Sequence, residues 1–65
     1  MVQIGLGDTV TINGVSGVVD FIGAEIIILE TPKGQQYKTD ISDIRSVEIT
    51  QSNTLNQLCF INLEI

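Results

Sequence analysis

The chain has 65 residues, a net charge of −5, one cysteine and no histidine. That length holds one domain, and a chain so short buries only about 60% of its unfolded surface. An intrachain disulfide is excluded, a closed zinc site lacks its usual ligands, and three cations (Lys33, Lys38 and Arg45) against eight carboxylates exclude a broad basic patch on one subunit.

The apolar fraction is 43% with few aromatics, so it consists mainly of Ile, Val and Leu, which favour strands and a packed core. No stretch reaches the roughly 18 apolar residues of a membrane helix. The start shows no basic segment followed by an apolar run. A cytoplasmic location without a membrane partner is therefore expected. Small scaffolds are often completed by disulfides, metals or other subunits, and here a second subunit is the expected supplement.

Val2 to Thr9 contains Gly5 and Gly7 and reads as an irregular lead-in. The first expected strand is Asp8 to Asn13, where Val10 and Ile12 alternate with Thr9, Thr11 and Asn13. Asn13-Gly14 is a turn signal, because both residues tolerate positive φ. The second strand runs from Gly17 to Ile22, with Val19 and Phe21 on one face and Val18, Asp20 and Ile22 on the other. Gly17 marks a sharp bend or a close backbone approach.

After Gly23-Ala24 comes the third strand, Glu25 to Thr31. Ile26, Ile27, Ile28 and Leu29 make both of its faces apolar, so both need cover. Pro32-Lys33-Gly34 is a turn. The fourth strand, Gln35 to Ile41, sets Gln35, Tyr37, Thr39 and Ile41 on one face. Ser42-Asp43-Ile44 reads as a single tight or 3₁₀ turn, and a short fifth strand follows with Val47 and Ile49 inward.

Residues 50–57 are polar and read as a connection. From Leu58 to Ile65 the alternation returns, with Cys59, Ile61, Leu63 and Ile65 facing one way and Leu58, Phe60, Asn62 and Glu64 the other. This late strand either covers the outer face of the third strand or exchanges with another subunit. The expected architecture is all-β: a small antiparallel barrel of five to six strands of the SH3-like or Sm-like class. Its core spans residues 1–50, and residues 51–65 form the connection and the late strand.

The stretch from Gly17 to Leu29, with its glycine, alternating apolar positions, turn and aliphatic strand, resembles the first motif of the Sm-like family. Tyr37-Lys38-Thr39-Asp40-Ile41-Ser42 resembles the Tyr-Lys-His-x-Ile-Ser stretch of that family's bacterial RNA chaperones. The resemblance covers residues 15–49. It implies a bent five-stranded barrel and rings in which the fourth strand of one subunit pairs with the fifth of the next. The family's initial helix is absent from the sequence pattern. Its base-stacking turn is replaced by Ile22-Gly23-Ala24-Glu25, so the uridine pocket does not carry over intact.

Two functions follow as expectations. The first is a non-enzymatic, homo-oligomeric assembly or protein-binding module without a cofactor, with Gln35, Tyr37, Val47, Ile49 and Phe60 at the contact between subunits. The second is an RNA-binding ring in which Lys38 meets phosphate and Tyr37 and Thr39 stand beside it; Tyr can stack on a base. Tyr37 also suits an interface anchor and Lys38 a solvated strand charge. Asp40 and Asp43 flank a turn that their side chains can cap, and two carboxylates are few for a Ca²⁺ site. Asp20 and Glu25 read as exposed charges beside a hairpin. Cys59 has no histidine to activate it and reads as a buried thiol.

Overall fold

The structure, a computed structural model, describes residues 2–52 and 60–64. The chain is all-β and antiparallel, with no α-helix among the described residues. The described residues form seven strands: β1 (Val2–Gly5), β2 (Thr9–Ile12), β3 (Val15–Ile22), β4 (Ile26–Glu30), β5 (Gln36–Asp40), β6 (Val47–Gln51) and β7 (Phe60–Leu63). A 3₁₀ turn, Ile41–Asp43, links β5 to β6.

Five strands form one sheet in the order β5-β4-β3-β2-β6. The hairpins from β2 to β5 follow one another, and β6 returns beside β2. Asn13-Gly14 makes the first hairpin, with φ of 50° and 83°, the paired positive values that a right-twisting two-residue loop requires. Thr31 to Gly34 makes the third: Gly34 N–H donates to the Thr31 carbonyl at 2.9 Å. Pro32 supplies a preset φ there, and Gly34 takes φ of 81°.

The lead-in that reads as irregular is a strand. Val2 and Ile4 alternate with Gln3, and β1 pairs with β7 in register Val2↔Leu63 to Gly5↔Phe60. The late strand thus lies against β1 of the same chain. It does not lie over the outer face of β4, because Leu63 joins the inner cluster instead. The expected alternation holds where it is described: Ile61 and Leu63 turn inward, Phe60, Asn62 and Glu64 outward. Leu58, Cys59 and Ile65 lie outside the described residues.

One core unites both sheets. Ile4 and Leu63 from the small sheet meet Val10, Ile12, Val19, Ile27 and Leu29 from the large one, with Ile44 closing the end after the 3₁₀ turn. Each fully buried aliphatic side chain of this kind contributes about 2 kcal/mol of hydrophobic stabilisation. Gly17 is fixed by a close approach: a Cβ there would stand 2.7 Å from the Glu30 carbonyl oxygen.

The faces of β3 differ from the simple alternation. The register slips between Val19 and Phe21, so Val19 lies opposite Leu29 but Phe21 lies opposite Ile28. Asp20 is the extra residue of this bulge, and each residue beyond it changes face. Val19 is buried while Phe21 is 48% exposed, and Ile22 packs on the core in its place.

Candidate interaction surface

β5 positions the residues that the sequence singles out, and the pleat separates them. Tyr37 lies opposite Leu29 and Thr39 opposite Ile27, while Lys38 lies opposite Ile28. Tyr37 is half-buried against the core and Thr39 is buried, with its hydroxyl donating to the Asp40 carbonyl at 3.4 Å. Lys38 is exposed on the other face. The three therefore share no single surface: a phosphate at Lys38 and a base on Tyr37 would lie on opposite sides of the sheet.

The residues expected at a subunit contact are also spread out. Gln35 is exposed; its carbonyl accepts from Thr31 N–H at 2.8 Å, and its N–H donates to Thr31 Oγ1 at 3.2 Å. Val47 and Ile49 lie opposite Ile12 and Val10 and are half-buried against the core. Phe60 stands on the small sheet opposite Gly5 and is 49% exposed. Within one chain, Gln35 and Tyr37 mark one end of the five-stranded sheet and Val47 and Ile49 the other.

Those two ends are the sheet's edges, and the hydrogen-bond pattern shows which backbone groups face outward. Ile41 N–H donates to the Glu25 carbonyl and Thr31 N–H to the Gln35 carbonyl, both at 2.8 Å. Bonded pairs alternate along an antiparallel ladder, so Thr39 and Tyr37 exchange bonds with β4. The N–H and C=O groups of Gln36, Lys38 and Asp40 point away from it. On β6, Asn13 N–H donates to the Ser46 carbonyl at 3.0 Å. The same alternation directs the backbone of Val47 and Ile49 away from β2.

Two polar side chains, read in the sequence only as a strand start and a turn residue, hold the scaffold. Asp8 is buried, and its carboxylate accepts from Gly5 N–H at 2.9 Å. Its carbonyl accepts from Val19 N–H at 2.9 Å, and Gly7 N–H donates to the Val19 carbonyl at 3.0 Å. The β1–β2 corner is thereby tied to β3. Asn13 Oδ1 accepts from Arg45 N–H at 2.7 Å and Ser46 N–H at 3.1 Å, and Asn13 Nδ2 donates to the Asp43 carbonyl at 3.0 Å. A turn residue thus clamps a segment some thirty residues away. The only trace of this in the sequence is the choice of Asn at a position where Gly also fits the backbone.

An open groove of about 460 Å³ is lined by Ala24, Glu25, Asp40, Ile41 and Ser42. A second, of about 330 Å³, lies between Thr9, Ser16, Gly17, Val18, Glu30, Thr31 and Pro32. Asp43 contributes its carbonyl to the Asn13 clamp, and the Asp20 carboxylate accepts from Gln36 Nε2 at 3.4 Å. Among the described residues, no three His, Cys, Asp or Glu side chains come together as a metal site. No helix among them is long and apolar enough to cross a membrane.

Comparison with protein-family models, with curated proteins and with solved structures found no match.

Proposed function

We propose that the chain is a self-assembling, non-enzymatic binding module of the Sm-like kind, whose copies join through the edges of the five-stranded sheet. The outward-pointing backbone of β5, and its counterpart on β6 at the far end of the same sheet, carry this reading. An open strand edge is a template for another strand. When the two edges differ, pairing is head to tail and closes into a ring if the rotation permits. β5 of one copy beside β6 of the next is the arrangement that the family resemblance implies.

RNA binding is the weaker reading. On the outer face of β5, Lys38 stands between Gln36 and Asp40, so its charge does not extend into a basic strip.

The test is solution mass over a range of dilutions, by light scattering after size exclusion, for the wild type and for Lys38→Pro. The proline removes an N–H that points away from β4 and leaves the intrachain ladder intact. The expected result is a multimer for the wild type and a folded monomer for the variant. A wild type that is monomeric at every dilution, or a variant that keeps the multimeric mass, overturns edge pairing.

A further inference from the structure

The outer face of β3, β4 and β5 carries an apolar patch that edge pairing does not use. Its rows follow from the register: Phe21 lies opposite Ile28, Ile28 opposite Lys38, and Ile26 opposite Asp40. Ile27 and Leu29 are fully buried on the inner face, so Ile26 and Ile28 face outward. A Cβ on Gly23 would stand 3.0 Å from Phe21 Cε2 and 3.3 Å from Ile26 Cγ1. The ring and Ile26 therefore flank one glycine and form one continuous surface. The bulge at Asp20 turns Phe21 onto this face, where an exposed aromatic does nothing for the core.

Four carboxylates flank the patch against one cation, Lys38, in the row beside Ile28, so the face is net acidic. Asp20 lies at the bulge, Glu30 opposite Val18, Asp40 opposite Ile26, and Glu25 immediately before β4; all four are exposed. Charge selects the occupant. A second copy laid face to face would bring two such rims together, and like charges across an interface are costly. An anionic lipid surface or a nucleic acid would meet the same repulsion. A cationic polypeptide would find complementary charge around an apolar centre.

We infer that the outer face of β3–β5 docks a basic polypeptide segment of another protein, with an apolar or aromatic side chain of that segment set against Phe21, Ile26 and Ile28. The aromatic ring is the anchor, and the carboxylate rim supplies selectivity and speed of encounter.

The test uses the full chain and two synthetic peptides: one of Lys and Leu, and its counterpart with Glu in place of Lys. Binding is followed by backbone amide shifts in NMR titrations at low and high salt. The Lys–Leu peptide should shift amides centred on Phe21, Ile26 and Ile28, and bind more weakly as salt rises. Phe21→Ser, at an exposed position that leaves the core intact, should weaken binding about tenfold, the effect of losing one aromatic anchor. Asp20→Asn combined with Glu30→Gln should flatten the salt dependence while the amide spectrum stays folded. The inference is overturned by no binding at low salt, by equal binding of the Glu–Leu peptide, by shifts centred on another face, or by undiminished affinity in folded Phe21→Ser. Shifts at these residues that depend on protein concentration without peptide would assign the face to a second copy and overturn it as well.

Discussion

The first and third hairpins of the five-stranded sheet are built differently, although both close through a glycine turn. At the β2–β3 hairpin, Asn13-Gly14 reaches back to Asp43, Arg45 and Ser46, and Asp8 ties the preceding corner to β3. At the β4–β5 hairpin, the turn from Thr31 to Gly34 bonds only within itself, through Thr31, Gly34 and Gln35, among the bonds described. The first hairpin holds together segments remote in sequence. The second closes on itself and presents an edge and an outer face. Local closure costs little chain entropy, whereas remote closure must be offset by specific bonds. Polar side chains accordingly concentrate where the chain returns on itself.

The largest expected effect concerns the contact that lets β3 cross close to β4. Gly17→Ala places a methyl 2.7 Å from the Glu30 carbonyl oxygen, and backbone cannot yield as a side-chain tip can. Overpacking of this kind costs up to about 3 kcal/mol. Urea denaturation should show that loss, with the slope of the transition unchanged. A wild-type midpoint would mean that β3 and β4 are spaced more loosely than described.

Much of this architecture is legible from period and punctuation. The strand at Thr9–Ile12 follows from alternation, that at Ile26–Glu30 from a continuous aliphatic run between turns, and that at Gln36–Asp40 from its place between the Pro32-Gly34 turn and the 3₁₀ turn; the Asn13-Gly14 turn and the all-β class follow from turn chemistry. β1 is masked by Gly5 and Gly7, which look like breakers until a partner strand supplies the ladder. The facing of Phe21 is hidden because a one-residue bulge leaves no mark in an alternating pattern. The Tyr37-Lys38-Thr39 stretch reads as one site along the chain, but the pleat of a strand sends neighbours to opposite faces. The Asn13 clamp depends on where Arg45 and Ser46 arrive in space, which no local signal states.

The clamp has the next largest expected effect. Asn13→Ala removes three side-chain hydrogen bonds and leaves a non-glycine residue at φ of 50°. These sites are exposed, so water compensates in part, and the loss should be about 2 kcal/mol. Asn13→Gly restores backbone freedom without the bonds and should lose about 1 kcal/mol. Hydrogen exchange should show which hairpin responds: protection should fall at Arg45 and Ser46 before it falls in β4 and β5. Equal losses for Ala and Gly would assign the cost wholly to the bonds and leave none for the backbone.

The smallest expected effect belongs to the other turn and sets the scale for the first. Thr31→Val removes the Oγ1 that accepts from Gln35 N–H at 3.2 Å, at an exposed site. The Thr31–Gly34 and Thr31–Gln35 backbone bonds remain, and valine keeps the branched shape that suits a strand end. Water can take the freed N–H, so the loss should be about 0.5 kcal/mol. The contrast with Asn13→Gly is the informative quantity, because both substitutions remove side-chain bonds to the backbone at exposed turns. They differ in span, four residues against more than thirty, and in number, one bond against three, so the comparison is made per bond and with Asn13→Gly, which carries no backbone strain. If Thr31→Val costs as much per bond as Asn13→Gly, sequence separation is irrelevant to what these bonds contribute, and the two hairpins differ in shape alone. If the total costs separate as expected, β4–β5 folds as a local hairpin that needs little support, and its edge and outer face can be altered without endangering the fold.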